Sequence, residues 1–191
     1  MQDTVWKNII EDLFQDFAAF FLSDVFPHIN FAKPYVFLDK EFQQLFPESK
    51  KGKRHVDKLV KVVLNSGKEQ WILIHTEIQG YHDDSFSQRL FTYFYRIYDK
   101  YQQKIISLAI LADEKRDWKP DRFEYEFFQT ELTYKFRTFK LLEQEEESLK
   151  ASNNPFALAV LASLYTMKSK RNEDKRLRFK LELTRLLLEK K

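Results

Sequence analysis

Two runs of residues, VDKLVKVVL (56–64) and EQWILIHTEIQ (69–79), surround the short connection NSGK (65–68). Both runs are rich in β-branched and apolar residues, and Asn, Ser and Gly between them are turn formers, so the segment reads as a β-hairpin. In their middles both runs are apolar at consecutive positions rather than at alternate ones. A strand of that kind is buried on both faces and belongs at the centre of a sheet covered by helices. The ends of the hairpin break the pattern. Trp71–Ile74 give way to His75, Thr76, Glu77, Ile78 and Gln79, and Asp57 opens the first strand. Burying an ionised carboxylate without a partner is costly, so such a strand end either finds a partner or opens onto a site.

The pairing register decides which. Antiparallel pairing around Ser66 and Gly67 sets Asp57 against position 75, 76 or 77. If Asp57 and Glu77 fall on one face, they are direct or diagonal neighbours, about 4.5–8 Å apart. If the register slips by one residue, they point to opposite faces and no site exists. The expectation adopted is the shared face, which Gln79, two residues beyond Glu77, also occupies.

Helical spacing covers 4–22, through Val5, Ile9, Leu13, Phe17 and Phe20 or Phe21, with Thr4 as a candidate cap. Pro27 and Pro34 end it, and a short helix near Asp39–Phe46 precedes the charged loop PESKKGKR (47–54). After the hairpin, Asp83 or Asp84 starts a helix to about Gln102, with Phe86, Leu90, Phe94 (or Tyr93), Ile97 and Tyr101 as its buried stripe. KIISLAIL (104–111) reads as a buried strand, and 122–141 holds two loosely joined strand-like pieces. Glu143–Glu147 reads as a solvated acidic face. Asn154 caps and Pro155 opens a further helix, and 173–190 forms a last amphipathic helix with Leu177, Leu181 and Leu187. This order predicts an α/β fold, a mixed central sheet flanked by helices. The core spans 1–141, and 142–191 is a helical C-terminal extension packed on it within a single domain.

Composition narrows the setting. The 191 residues include no Cys, which excludes a disulfide framework and thiolate metal sites. With 43% hydrophobic and 32% charged residues the chain is globular, and a net charge of +3 permits nucleic-acid binding without demanding it. The apolar N-terminal stretch is interrupted by Asp3, Glu11, Asp12 and Asp16 and lacks a basic n-region, so it reads as neither a signal peptide nor a spanning helix. The expected setting is soluble and cytoplasmic.

Two carboxylates at one strand end repel each other, and a hard divalent cation relieves that repulsion. Mg²⁺ (or Mn²⁺) suits one or two carboxylates with water filling the remaining positions, and it can activate water and stabilise charge on a phosphate. Oxygen ligands suit such a cation better than imidazole, so His75 reads as a core or edge residue. Gln79 could orient a water or a phosphate oxygen. Lys50, Lys51, Lys53 and Arg54 just before Asp57 could hold DNA phosphates, or form a solvated basic loop. Gln88 and Arg89 near a helix start are further phosphate candidates.

An Asp on one strand, a turn, and an apolar strand ending in Glu-x-Gln resembles the active-site hairpin of the PD-(D/E)XK nuclease superfamily. LDKEFQQLFPESKKGKRHVDKLVKV, WILIHTEIQG, FSQRLFTYFYRIYDKY and NNPFALAVLASLY, in this order, resemble the Rpn-like (recombination-promoting nuclease) putative transposase family across nearly the whole chain. The resemblance implies a restriction-endonuclease-like αβββαβ core and a Mg²⁺-dependent DNA endonuclease linked to recombination or mobile elements. It implies Asp57 and Glu77 as metal ligands, with the Ile78 carbonyl as a third. Gln79 stands where the superfamily usually has Lys. An acidic residue from the first helix often joins such sites, and Glu11, or equally Asp12, fills that role here. The alternative is a catalytically inactive module that keeps the fold and binds nucleic acid or protein. A homodimer is compatible with the aromatic helix Phe86–Tyr101.

Overall fold

The computed structural model describes residues 2–38, 40–41, 44, 55–66, 71–170 and 172–189; residues 2–5, 7, 55–57, 71–77, 79 and 189 are described as backbone. In chain order the elements are α1 (Gln2–Asp12), α2 (Phe14–Phe21), β1 (Val36–Phe37), β2 (His55–Val63), β3 (Trp71–Gln79), α3 (Phe86–Tyr101), β4 (Lys104–Leu111), β5 (Arg122–Phe127), β6 (Thr130–Lys135), β7 (Arg137–Lys140), α4 (Glu146–Ala151), α5 (Pro155–Lys168) and α6 (Glu173–Glu189). The helix near Asp39–Phe46 and the loop 47–54 fall mostly outside the described residues.

The sheet has the order β1-β2-β3-β4-β7. β1, β2 and β3 run antiparallel in succession, while β4 is parallel to β3 and β7 parallel to β4. The fold is therefore a mixed α/β sheet with helices on both faces. One face carries Val60, Val62, Ile78, Leu108 and Ile110, which share a buried cluster with Trp6 and Ile10 of α1, Phe14 and Phe17 of α2, and Phe156, Val160 and Leu161 of α5. The segment expected as a C-terminal extension thus contributes directly to the main core. On the other face, Leu59 packs with Tyr93 and Ile97 of α3, and Ala109 and Leu111 pack with Phe86 and Leu90. The alternating partition explains why the hairpin strands are apolar on both sides.

Several local expectations are sharpened. The N-terminal helix breaks at Leu13, between α1 and α2, which lets Phe14, Phe17 and Phe21 turn into the core. Tyr93, rather than Phe94, completes the buried stripe of α3. The strand-like stretch near 122–141 divides at Phe136. Residues before it form a tight antiparallel arm, β5–β6, while β7 joins the main sheet.

Asn154 caps α5 as expected. Its Oδ1 accepts from Phe156 N at 2.8 Å, and its Nδ2 donates to the Asp16 carbonyl at 2.9 Å. One side chain thus starts α5 and ties it to α2. Asn154→Ala is expected to cost about 1–2 kcal/mol, read as a lower urea midpoint at unchanged m-value.

Candidate functional site

The backbone register sets Asp57 directly opposite Glu77, with Val56 opposite Ile78 and His55 opposite Gln79. Asp57 and Glu77 therefore share a face of the sheet, as the sequence reading requires. Leu59, two residues from Asp57, packs under α3, so the pair belongs to the α3 face. The neighbouring strand carries the same logic across: Glu77 is aligned with Ala109 and Gln79 with Leu111, both buried against Phe86 and Leu90. Ile78, of opposite parity, is buried in the cluster on the other face. His75 lies further in, between Leu59 and Ser107.

Glu11 goes elsewhere. It pairs with Lys58, whose side chain is 2% exposed and which has the parity opposite to Asp57. The reason is electrostatic: a buried ammonium needs a carboxylate, and α1 lies against β2 on that face. The structure thus engages Glu11 on the sheet face away from the Asp57–Glu77 pair. Asp12 is exposed. Among the described side chains no group of three or more His, Asp or Glu is arranged to hold a metal; those of Asp57 and Glu77 are outside that set.

The basic candidates also separate. Lys51, Lys53 and Arg54 lie outside the described residues. Gln88 is exposed on the first turns of α3. Arg89 reaches back to Asp83 Oδ2, and its guanidinium lies 5.4 Å from the Phe86 ring centre. Asp83 Oδ1 meanwhile accepts from Ser85 N at 2.9 Å and from Ser85 Oγ at 2.7 Å. Asp83 therefore organises the turn into α3 rather than capping the helix itself, and Arg89 is part of that turn. Burial pushes the Asp83 carboxyl upward, but the Ser85 hydrogen bonds and Arg89 outweigh it, so its pKa is held below the ordinary 3.8. A depressed folded pKa stabilises the protein above the unfolded value, and that stabilisation is lost as pH falls through the folded one. Asp83→Asn is accordingly expected to be less stable than wild type by about 1–2 kcal/mol at neutral pH. The gap should stay constant down to pH 5 and narrow below 3.8 in acid unfolding curves.

No family model, curated protein or solved structure matches the chain.

A rim surrounds the strand end. Gly80 follows Gln79 and Ala112 follows Leu111, so the segments leaving β3 and β4 emerge side by side. With the end of α5 they enclose an open cleft of about 430 Å³, lined among others by Tyr81, His82, Glu114, Lys115, Thr166 and Lys170. His82 is exposed. Its Nε2 lies 3.1 Å from Asp84 Oδ1 and 3.4 Å from Lys115 Nζ, and its ring meets Trp118 edge-on at 5.3 Å. Below this rim lies a buried pair that the sequence reading does not single out. Lys140 Nζ donates to Asp113 Oδ2 and to the carbonyls of Lys115 (2.9 Å) and Trp118 (3.0 Å). All three ammonium protons are thereby used to fix the segment after β4. The only sequence signal was a lone Lys between Phe139 and Leu141.

Proposed function

We propose that the chain is a metal-dependent nuclease acting on the phosphodiester backbone of DNA, with its site at the Asp57–Glu77 strand ends. The observation that carries the reading is the register: two carboxylate residues directly opposite one another on adjacent strands. Like charges in that position destabilise a sheet unless something neutralises them. The donor set of two carboxylate residues, with the Ile78 carbonyl on the same strand, fits a hard divalent cation such as Mg²⁺ or Mn²⁺. When bound, such an ion supplies Lewis acidity toward water and phosphate oxygens.

The remaining roles belong to this chain's residues. Asp57 and Glu77 would hold the cation. Gln79, at the adjoining position of the same face, donates and accepts hydrogen bonds without carrying charge, so it orients a water or phosphate oxygen rather than removing a proton. Lys51, Lys53 and Arg54 precede Asp57 directly and supply charge for flanking phosphates. The sheet order supports the restriction-endonuclease-like assignment. Three successive antiparallel strands follow the N-terminal helices, and α3 then returns the chain to a strand parallel to β3, the αβββαβ arrangement that the family resemblance implies.

Titration calorimetry with Mn²⁺ tests the site. Stoichiometric binding is expected for the wild type and none for Glu77→Gln. Gln79 in the usual Lys position favours one other reading, an inactive module that keeps the fold and binds DNA. DNA binding that persists without any cation binding would select it.

A further inference from the structure

Beside the end of β3, buried charge holds a surface turn in place. Lys115 is gripped at both of its backbone groups. Its N–H donates to Asp113 Oδ1 at 2.9 Å, and its carbonyl accepts from Lys140 Nζ at 2.9 Å and from Trp118 N at 3.2 Å. Lys140 also donates to the Trp118 carbonyl at 3.0 Å, and its ammonium lies 5.6 Å from the Trp118 ring centre. A buried ion pair seldom stabilises a fold more than an apolar pair of the same volume would. What this pair does, through its hydrogen bonds, is fix the turn Lys115–Trp118.

The side chains placed by that turn converge. The Trp118 ring packs with Phe86 on the α3 face of the sheet, the face of Asp57 and Glu77, and the His82 ring stands edge-on against it. His82 Nε2 lies 3.4 Å from Lys115 Nζ, and both residues line the open cleft at the strand end. Among the described residues Lys115 meets no carboxylate. Lys170, which lines the same cleft, is instead neutralised by Glu114 at 2.7 Å. One carboxylate does reach His82. Asp84, with a side chain 94% exposed, sets Oδ1 3.1 Å from Nε2. An acidic oxygen thus already sits beside the imidazole, next to an ammonium that lacks a counter-charge of its own.

We propose that Lys115 and His82 form a phosphate contact for DNA on the β4 side of the Asp57–Glu77 pair, an assignment that rests on the strand-end reading above. β3 and β4 end side by side, about 4.8 Å apart, so the contact lies beyond Glu77 on the side away from Asp57. It therefore takes a phosphate next to the scissile one. A phosphate oxygen occupies the position of Asp84 Oδ1, where Lys115 Nζ and His82 Nε2–H both donate to it. The exposed Asp84 gives way at little cost, since a surface ion pair is worth about 0–1 kcal/mol. Because the turn is fixed before DNA arrives, little conformational freedom is lost on binding.

Binding of a fluorescein-labelled DNA duplex, followed by anisotropy in Ca²⁺ across a salt series, tests this. Lys115→Gln keeps its fold, because the turn is held through the Lys115 backbone. It is expected to bind more weakly at low salt and to lower the slope of log affinity against log salt by about 0.9, the loss of one phosphate contact. Asp84→Asn is expected to bind DNA more tightly than wild type, because the competing carboxylate is gone. Lys170→Gln/Glu114→Gln removes a neutral pair from the same cleft and should leave the slope unchanged. Mn²⁺ calorimetry on the wild type separates the two readings. If Mn²⁺ binds and Lys115→Gln has the wild-type slope, the phosphate contact falls alone. If the slope changes as expected and no Mn²⁺ binds, the contact stands and the metal site falls. A wild type that binds no DNA overturns both.

Discussion

Asp57→Ala and Glu77→Ala are each expected to abolish Mg²⁺-dependent nicking of supercoiled DNA while leaving the circular dichroism spectrum unchanged. The loss should exceed the roughly 10- to 100-fold that removal of a ligand's supporting partner costs, because a ligand itself is removed. Loss of activity alone would also follow from local unfolding, so the more telling readout is stability. In the proposed site without cation, the register sets two carboxylate residues directly opposite one another across β2 and β3. Removing one relieves a repulsion of about 0.2–1 kcal/mol. Asp57→Asn and Glu77→Gln should therefore melt slightly above wild type in EDTA. With millimolar Mg²⁺ the order should reverse, because only the wild type gains the binding term RT ln(1 + [L]/Kd). A wild-type melting temperature that ignores Mg²⁺ and Mn²⁺, or a variant that still nicks DNA at the wild-type rate, would refute the assigned ligands.

The same hairpin shows how far the sequence carries. The strands and their burial on both faces were legible because strand pattern is a local property, whereas the facing of Asp57 and Glu77 was one of two registers that the turn residues left open, and the pairing of β2 with β3 selects it. Asn154 and Pro155 likewise marked the start of α5 through chemistry confined to three residues. The destination of Glu11 was not legible. Helical spacing fixes which side of α1 is apolar, but not which face of a sheet about forty residues away receives it, and the burial of Lys58 decided that. Phe136 was hidden for a related reason. β6 and β7 form one strand-like run in sequence, and the chain changes sheets where Phe136 N bonds the Asp121 carbonyl, a contact set by the path of the preceding loop. On α6, Leu177, Leu181 and Leu187 marked an amphipathic helix, but leucine spacing alone cannot rank one apolar face against another, and all three are exposed. Phe179, Leu183 and Leu186 form the packed face.

Lys140→Met is expected to be the most destabilising single substitution outside the hydrophobic core, at about 3–5 kcal/mol. The ammonium is fully enclosed, and Asp113 is 2% exposed where it lines the cleft. Removing the cation strands a buried carboxylate and also frees the carbonyls of Lys115 and Trp118, which lose their donor. For a chain of this length the cost corresponds to a fall in melting temperature of about 10 °C. The double variant Lys140→Met/Asp113→Leu removes both charges and should recover much of that loss, since an apolar pair of similar volume is often as stable as a buried ion pair. The interaction also reaches the candidate site. Lys115, whose carbonyl Lys140 holds, contacts His82 beside the end of β3. In the proposed nuclease the segment after β4 borders the strand end, so the double variant should stay folded and keep its Mn²⁺ affinity yet bind DNA more weakly. A Lys140→Met protein as stable as wild type would show that the Asp113 carboxylate does not depend on the ammonium.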